Sequence, residues 1–318
     1  MMKLSRLMLA AVAVCGTSAV MAQSSVTIYG RVNTTVEHQK LGDNKATGVA
    51  NNNSRIGFKG VEDLGNGLKA GFQLEAGFGS DDGSGPLTFK RQSEVNLSGN
   101  FGMLRLGRFF AESYFATADY VSMHNHDTGS SADMLYAYVM RDTNKIAYRT
   151  PNIGGFTLEA AVSPHEQTSG GKHAFDLAAN YNMGALGLGA GYSQLDDAKQ
   201  LALRANYTTG PFVIGGYYQR DENGVIANAG KRDTVRISGA YMMGASEFHL
   251  NVGRAGKYDN IANSAATQYT LAYNYNLSKR TKVYTYYTKV DNKVGASYAT
   301  GVNGADFSSF ALGVRHNF

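Results

Sequence analysis

Polar and apolar side chains alternate one by one in segment after segment of this chain, and a period of two places them on opposite faces of β-strands. In Val26-Thr-Ile28-Tyr-Gly30-Arg-Val32 the apolar or small residues take every second place, leaving Thr27, Tyr29 and Arg31 on the other face. Phe72 and Leu74 oppose Gln73 and Glu75, and Phe175, Leu177, Ala179 and Tyr181 oppose Asp176, Ala178 and Asn180. Leu201, Leu203, Ala205 and Tyr207 oppose Arg204 and Asn206; Val235, Ile237, Gly239 and Tyr241 oppose Arg236 and Ser238. Tyr269, Leu271, Tyr273 and Tyr275 oppose Thr270, Ala272, Asn274 and Asn276. Val283 to Val290 is ambiguous, because Tyr and Thr fall on both of its faces.

A soluble sandwich would show the same alternation, so the connections decide. Short Gly- or Asn-rich turns occur at Glu62 to Gly67, Ser98 to Gly102, Pro151 to Gly155, Asn182 to Ala185, Thr208 to Pro211, Met243 to Ser246 and Leu277 to Thr281. Between them lie the longer polar stretches His38 to Asn53, Phe78 to Phe89, Phe109 to Asp142, Pro164 to Lys172, Arg220 to Lys231, Ala255 to Ala266 and Asp291 to Asp306, with a shorter one at Asp196 to Lys199. This spacing predicts 16 antiparallel strands, 8 outer loops and 7 inner turns. An even strand number with turns at one end and loops at the other is the pattern of an outer-membrane barrel. Closure satisfies every backbone group where lipid offers no hydrogen bonds.

The N-terminus reads as an address. Lys3 and Arg6 precede an apolar stretch from Leu7 to Val20, and Val20-Met21-Ala22 resembles a cleavage site ahead of Gln23. Residues 1–22 are therefore expected to be a signal peptide and 23–318 one transmembrane β-barrel. The single cysteine, Cys15, falls in the first segment, which leaves the remainder no disulfide and no thiolate metal site. Without Lys3 and Arg6, 28 basic side chains stand against 25 acidic ones, with no concentrated basic run, so nucleic acid is not an expected partner. No other segment approaches 18 apolar residues, so no helical span is expected. The 38 Gly and 20 Tyr suit many twisted strands carrying interfacial aromatics.

The chain ends on Phe310, Leu312, Val314, His316 and Phe318, all on one face of a final strand. Ser24-Ser-Val-Thr-Ile-Tyr-Gly30 resembles the opening strand of Gram-negative general porins, particularly those of β-proteobacteria. Ser54-Arg-Ile-Gly-Phe-Lys-Gly-Val-Glu-Asp-Leu-Gly65 with Gly67-Leu-Lys-Ala70 resembles their second strand, turn and third strand. Leu97-Ser-Gly-Asn-Phe-Gly102, Arg105-Leu-Gly-Arg108 and Thr150-Pro-Asn-Ile-Gly-Gly155 continue the match, and Leu277-Ser-Lys-Arg-Thr281 and Gly313-Val-Arg-His-Asn-Phe318 close it. The resemblance implies a 16-stranded trimeric porin whose third loop folds inward and narrows a passive, water-filled channel. Lipid, lipopolysaccharide, ions and small hydrophilic solutes are its implied partners, with no cofactor.

Phe109 to Asp142 is the longest connection, and its Tyr114, Phe115, Tyr120, Met123, Met134, Leu135, Tyr136 and Tyr138 would be poorly placed in open water. Folding against the inner wall would shelter them. Parity puts Arg55 and Glu75 on the lumen face, and Arg149 alternates with Ile146 and Tyr148. The resemblance matches Arg55, Arg91 and Arg141 to a pore-narrowing basic cluster and Glu75 to a nearby acid. Arg91 shares parity with outward Val95 and Leu97, and Arg108 with outward Leu104 and Leu106, so each needs a bulge to join the cluster. Glu112, Asp119 and Asp133 are the candidate acids of the loop. Fixed arginine charges in a narrow aqueous path attract anions, and lumen-facing Arg31, Arg204, Arg236 and Arg315 outnumber Glu75, Glu159 and Asp176. A mild anion preference is expected. His124-Asn-His126-Asp127 could bind a divalent ion, but polar loop residues in a wet pore are the expectation, and no metal site is assigned. A saturable anion-specific channel is the alternative function; a barrel enzyme or an adhesin ranks below it, with no hydrolase motif to support the enzyme.

Overall fold

The structure, a computed structural model, describes residues 25–119, 129–166 and 171–318. The predicted signal peptide, Tyr120, Met123 and the His124 to Asp127 motif lie outside the described residues. Seventeen strands form one antiparallel sheet that closes on itself. In chain order they are β1 (Ser25–Leu41), β2 (Asn44–Asn51), β3 (Arg55–Gly65), β4 (Leu68–Gly77), β5 (Gln92–Gly99), β6 (Gly102–Arg108), β7 (Lys145–Arg149), β8 (Phe156–Ser163) and β9 (Ala174–Met183). They continue as β10 (Leu186–Leu195), β11 (Ala198–Thr209), β12 (Phe212–Glu222), β13 (Lys231–Met243), β14 (Ser246–Ala255), β15 (Ala266–Asn276), β16 (Thr281–Asn292) and β17 (Phe307–Asn317).

The count of seventeen reduces to sixteen wall strands. β2 pairs with the second half of β1 and β3 with its first half, so the two are one wall strand interrupted at Asn52–Ser54. There the ladder is replaced by local bonds: Asn33 N donates to Ser54 Oγ at 3.0 Å and Asn33 Nδ2 to the Asn52 carbonyl at 3.0 Å. The sheet closes where β1 pairs with β17 from Arg31↔Asn317 to Leu41↔Phe307. The sequence expectation of a long loop from His38 to Asn53 is corrected here. β1 and β2 continue as a hairpin to a tight turn at Gly42 and Asp43, the alternation having been hidden by polar residues beyond the apolar band.

Burial follows the period of two, but inverted relative to a soluble protein. Val26 and Ile237 are each 67 % exposed on the outside, while Gln219 is fully buried and Arg236 3 % exposed on the inside. Only a wall that faces hydrocarbon and encloses a polar lumen is stable in that arrangement. β16, ambiguous by sequence, resolves the same way: Tyr284, Tyr286 and Thr288 are buried inward, and Tyr287 is exposed outward. No described helix is long and apolar enough to cross a membrane.

Candidate functional site

The segment between β6 and β7 folds into the lumen. It begins with a short helical stretch, Glu112–Tyr114, followed by a widened turn, Phe115–Asp119. The wall makes room for this stretch by omitting side chains. A Cβ on Gly189 would lie 2.0 Å from the Ala116 carbonyl oxygen, and one on Gly191 2.7 Å from the Ser113 Cβ. Glycine on the lumen face of β10 is therefore what permits the close approach. Ser113 N then donates to Asp176 Oδ1 at 3.2 Å.

The far limb of the loop is clamped to the opposite wall through its backbone. Gln268 accepts from Met134 N at 3.0 Å and donates to the Ala132 carbonyl at 2.8 Å. Gln219 repeats the device on Ala137, at 2.8 Å and 3.0 Å. Ser130 Oγ donates to Glu37 Oε2 at 2.6 Å. Leu135 packs with Ala255, Ala266, Val290, Ala296 and Phe307, with Met134 against them, and Tyr114 and Tyr136 pack against Ala118 and Tyr217.

What remains open beside the loop is a cavity of about 650 Å³. Arg55, Glu75, Arg91 and Gln92 line it from the wall, and Phe110, Tyr114, Phe115, Tyr136 and Tyr138 from the loop, with Asp119, Asp133 and Asp142 on its boundary. Glu75 is the meeting point of the wall side. Arg91 Nε lies 2.6 Å and Arg55 Nε 3.6 Å from Glu75 Oε1, and Tyr29 donates its hydroxyl to Oε2 at 3.0 Å. The Arg91 guanidinium also sits 5.5 Å from the Phe110 ring centroid, a cation–π contact. Arg55, Arg91 and Glu75 are thus brought together at one place.

Arg91 needs no bulge, because β5 starts at Gln92 and its period-two count does not reach Arg91. Arg108 is the correction. It keeps the outward parity of Leu104 and Leu106 and gives its Nε to the Lys90 carbonyl, away from the cluster. Arg141 also stands apart, its Nη1 3.4 Å from the Pro164 carbonyl. Arg149 faces the lumen and bridges Glu112 at 2.5 Å and Glu159 at 2.8 Å. The loop acids divide. Glu112 ties the helical stretch to the wall through Arg149, Asp119 borders the cavity, and Asp133 is bonded to Arg236 across the lumen at 2.7 Å. Burial pushes the Glu112 carboxyl up to about 7, against the pull of Arg149. Burial works against Asp133 as well, but Arg236 and the Tyr217 hydroxyl outweigh it and hold the carboxyl below the usual range.

Sequence reasoning passed over Arg105, which is a centre of lumen electrostatics. It reaches Glu94 at 2.8 Å and Glu159 at 3.0 Å, and stacks 4.1 Å from the Phe109 ring centroid. Its position between outward Leu104 and Leu106 was the available signal. Lys145, buried beside it, donates to the Phe109 carbonyl at 2.7 Å. Among the described residues no group of three His, Cys, Asp or Glu could hold a metal ion.

The sequence profile of the Gram-negative porins matches residues 9–295. Outer membrane porin protein 32 of Delftia acidovorans is 35 % identical over 367 aligned positions that cover 100 % of both chains. Major outer membrane protein P.IB of Neisseria sicca is 28 % identical, covering 94 % of this chain and 96 % of its own. Among solved structures, the anion-selective porin from Comamonas acidovorans superposes with a TM-score of 0.81 at 29 % identity, over 93 % of this chain and 100 % of that one. The chain belongs to the Gram-negative porin family, channel proteins of the outer membrane rather than enzymes.

Proposed function

We propose that this porin passes small hydrophilic solutes and ions passively, with a mild preference for anions set where Arg55 and Arg91 converge on the single carboxylate of Glu75. That convergence carries the reading: two guanidinium groups meet one acid on the wall of the cavity beside the loop. The anion-selective relative from Comamonas acidovorans supports the sign. The working unit is a homotrimer, a form in which the fold neighbour OmpT of Vibrio cholerae has been solved, and residues 1–22 direct export and are removed. Lipid and lipopolysaccharide surround the wall.

Single-channel recording in a planar bilayer under a potassium chloride gradient tests this. Large ohmic steps with a reversal potential on the anion side are expected. A correctly folded barrel that gives no steps would refute the open pore, and saturation at micromolar solute would replace free passage with an anion-specific site.

A further inference from the structure

Five aromatic rings of the loop border the lumen cavity, and the passage of simple ions does not require them. Tyr114 is the centre of the group: its ring centroid lies 5.7 Å from that of Phe115 and 5.6 Å from those of Tyr136 and Tyr138. Phe115 in turn meets Phe110 edge to face at 6.1 Å. The hydroxyls of Tyr136 and Tyr138 are engaged within the loop, with Thr117 at 3.0 Å and Asp142 at 2.6 Å. With those groups occupied, the rings themselves are what the loop offers the cavity.

Packing of the loop explains only part of the group. Tyr114 and Tyr136 rest on Ala118 and Tyr217, but among the described residues Phe110 and Phe115 join none of the buried apolar clusters. Apolar surface left open in a wet pore is unfavourable unless a solute covers it, and such patches mark ligand grooves. Charge lies next to this surface, since the Arg91 guanidinium is 5.5 Å from the Phe110 ring centroid. Its bond to Glu75 runs through Nε, and the fork carries further N–H donors on its two Nη atoms. Arg55 and Arg91 against Glu75 give the wall one positive charge in excess. Asp133 and Asp142, on the boundary, each have a cation of their own, Arg236 at 2.7 Å and Lys145 at 3.3 Å. Asp119 borders the cavity from the loop, where it disfavours a second carboxylate.

We propose that this cavity binds aromatic monocarboxylates of about the size of benzoate. The carboxylate sits on Arg91 beside the charge of Arg55, and the ring lies against Phe110, Phe115 and Tyr114. The volume of about 650 Å³ is within the span usual for small-molecule sites, roughly 300–1,000 Å³. The inference rests on the anion-preferring reading of the same cluster and adds a solute class to it.

The test is single-channel recording in potassium chloride with benzoate, cyclohexanecarboxylate, acetate or terephthalate added in turn. Benzoate is expected to interrupt the chloride current saturably, with half-block at roughly millimolar concentration, weak enough to leave passage free. It should bind roughly fivefold more tightly than cyclohexanecarboxylate, the margin that contact between aromatic rings supplies. Phe110→Leu/Phe115→Leu should remove that margin. The ratio is taken within each protein, so a change in bare conductance does not imitate it, and if the double variant fails to fold, the wild-type ratio still decides. Equal affinity for the two ring acids in wild type, or a margin that survives in the double variant, would overturn the aromatic contact. Terephthalate binding as tightly as benzoate would overturn the assignment to monocarboxylates. Acetate binding as tightly as benzoate would overturn the site and leave the anion preference standing, because that preference is read from the reversal potential in potassium chloride alone. A reversal potential on the cation side would refute the preference, and the inference built on it falls with it.

Discussion

Asp133 of the lumen loop and Arg236 of β13 meet through two bonds, Nη2–Oδ1 at 2.7 Å and Nε–Oδ2 at 2.8 Å. Both side chains are about 95 % or more buried, and Tyr217 adds its hydroxyl to Oδ2. One of the candidate acids of the loop is thus the rivet that holds the loop to the wall.

Removing one member of such a pair strands the other. Arg236→Met is expected to destabilise the protein by about 3–5 kcal/mol and to release the loop, raising open-channel current noise. Asp133→Leu/Arg236→Met, which removes both charges, should recover much of the thermal stability. Equal melting losses in the single and double variants would show that the pair is not the anchor.

The lumen face of β10 offers a steric test. Gly189→Val introduces atoms where the Ala116 carbonyl already lies 2.0 Å from a single Cβ, so the helical stretch must leave the wall. A clear change in single-channel conductance is expected, together with a loss of about 1–3 kcal/mol from overpacking. Gly239→Ala, whose Cβ meets nothing within 4 Å, should leave both unchanged. Identical currents from Gly189→Val and wild type would mean that the loop does not rest there.

These sites mark the boundary of what the chain discloses before folding. Period two was enough to place Ile237 outside and Arg236 inside, because a strand has only two faces. It was also enough to place Arg55 and Glu75 in the lumen. It misled at Arg91 and at His38 to Asn53, where strand ends differ from the ends of the apolar pattern. Parity did single out Arg108 as a misfit among the candidate constriction arginines, and the structure sides with parity. The partners of Asp133 and Arg105 were out of reach, since 103 residues separate Asp133 from Arg236 and 54 separate Arg105 from Glu159. The glycines of Leu186-Gly-Leu-Gly-Ala-Gly-Tyr192 were in view, yet three successive inward positions without a side chain have meaning only once something is known to lie against them.

Selectivity should respond to Glu75 in a defined direction. Glu75→Gln leaves Arg55 and Arg91 facing a neutral amide, adding one positive charge beside the cavity. At about 5 Å in water a unit charge changes the energy of a passing ion by about 0.8 kcal/mol, roughly a fourfold change in local concentration. The reversal potential should move further to the anion side in Glu75→Gln and toward zero in Arg91→Gln. If neither variant moves it, the ion path does not pass this cluster.

Glu112 makes the loop anchor sensitive to pH. Burial raises its carboxyl to about 7 from an ordinary 4.5, with Glu159 and Asp176 adding to the rise and Arg149 opposing it. Between those two values the folded protein holds a proton that the unfolded chain has released. Folding is therefore favoured as pH falls through 7, and the penalty for the ionised carboxyl is present in full above that pH. Relative to Glu112→Gln, which carries no titratable group there, wild type should gain up to about 3 kcal/mol of stability between pH 8 and pH 5. Thermal melts of the two proteins at both pH values measure the difference. The variant should be the more stable at pH 8, and its advantage should shrink at pH 5; an advantage that stays constant across the range would place the Glu112 carboxyl outside it.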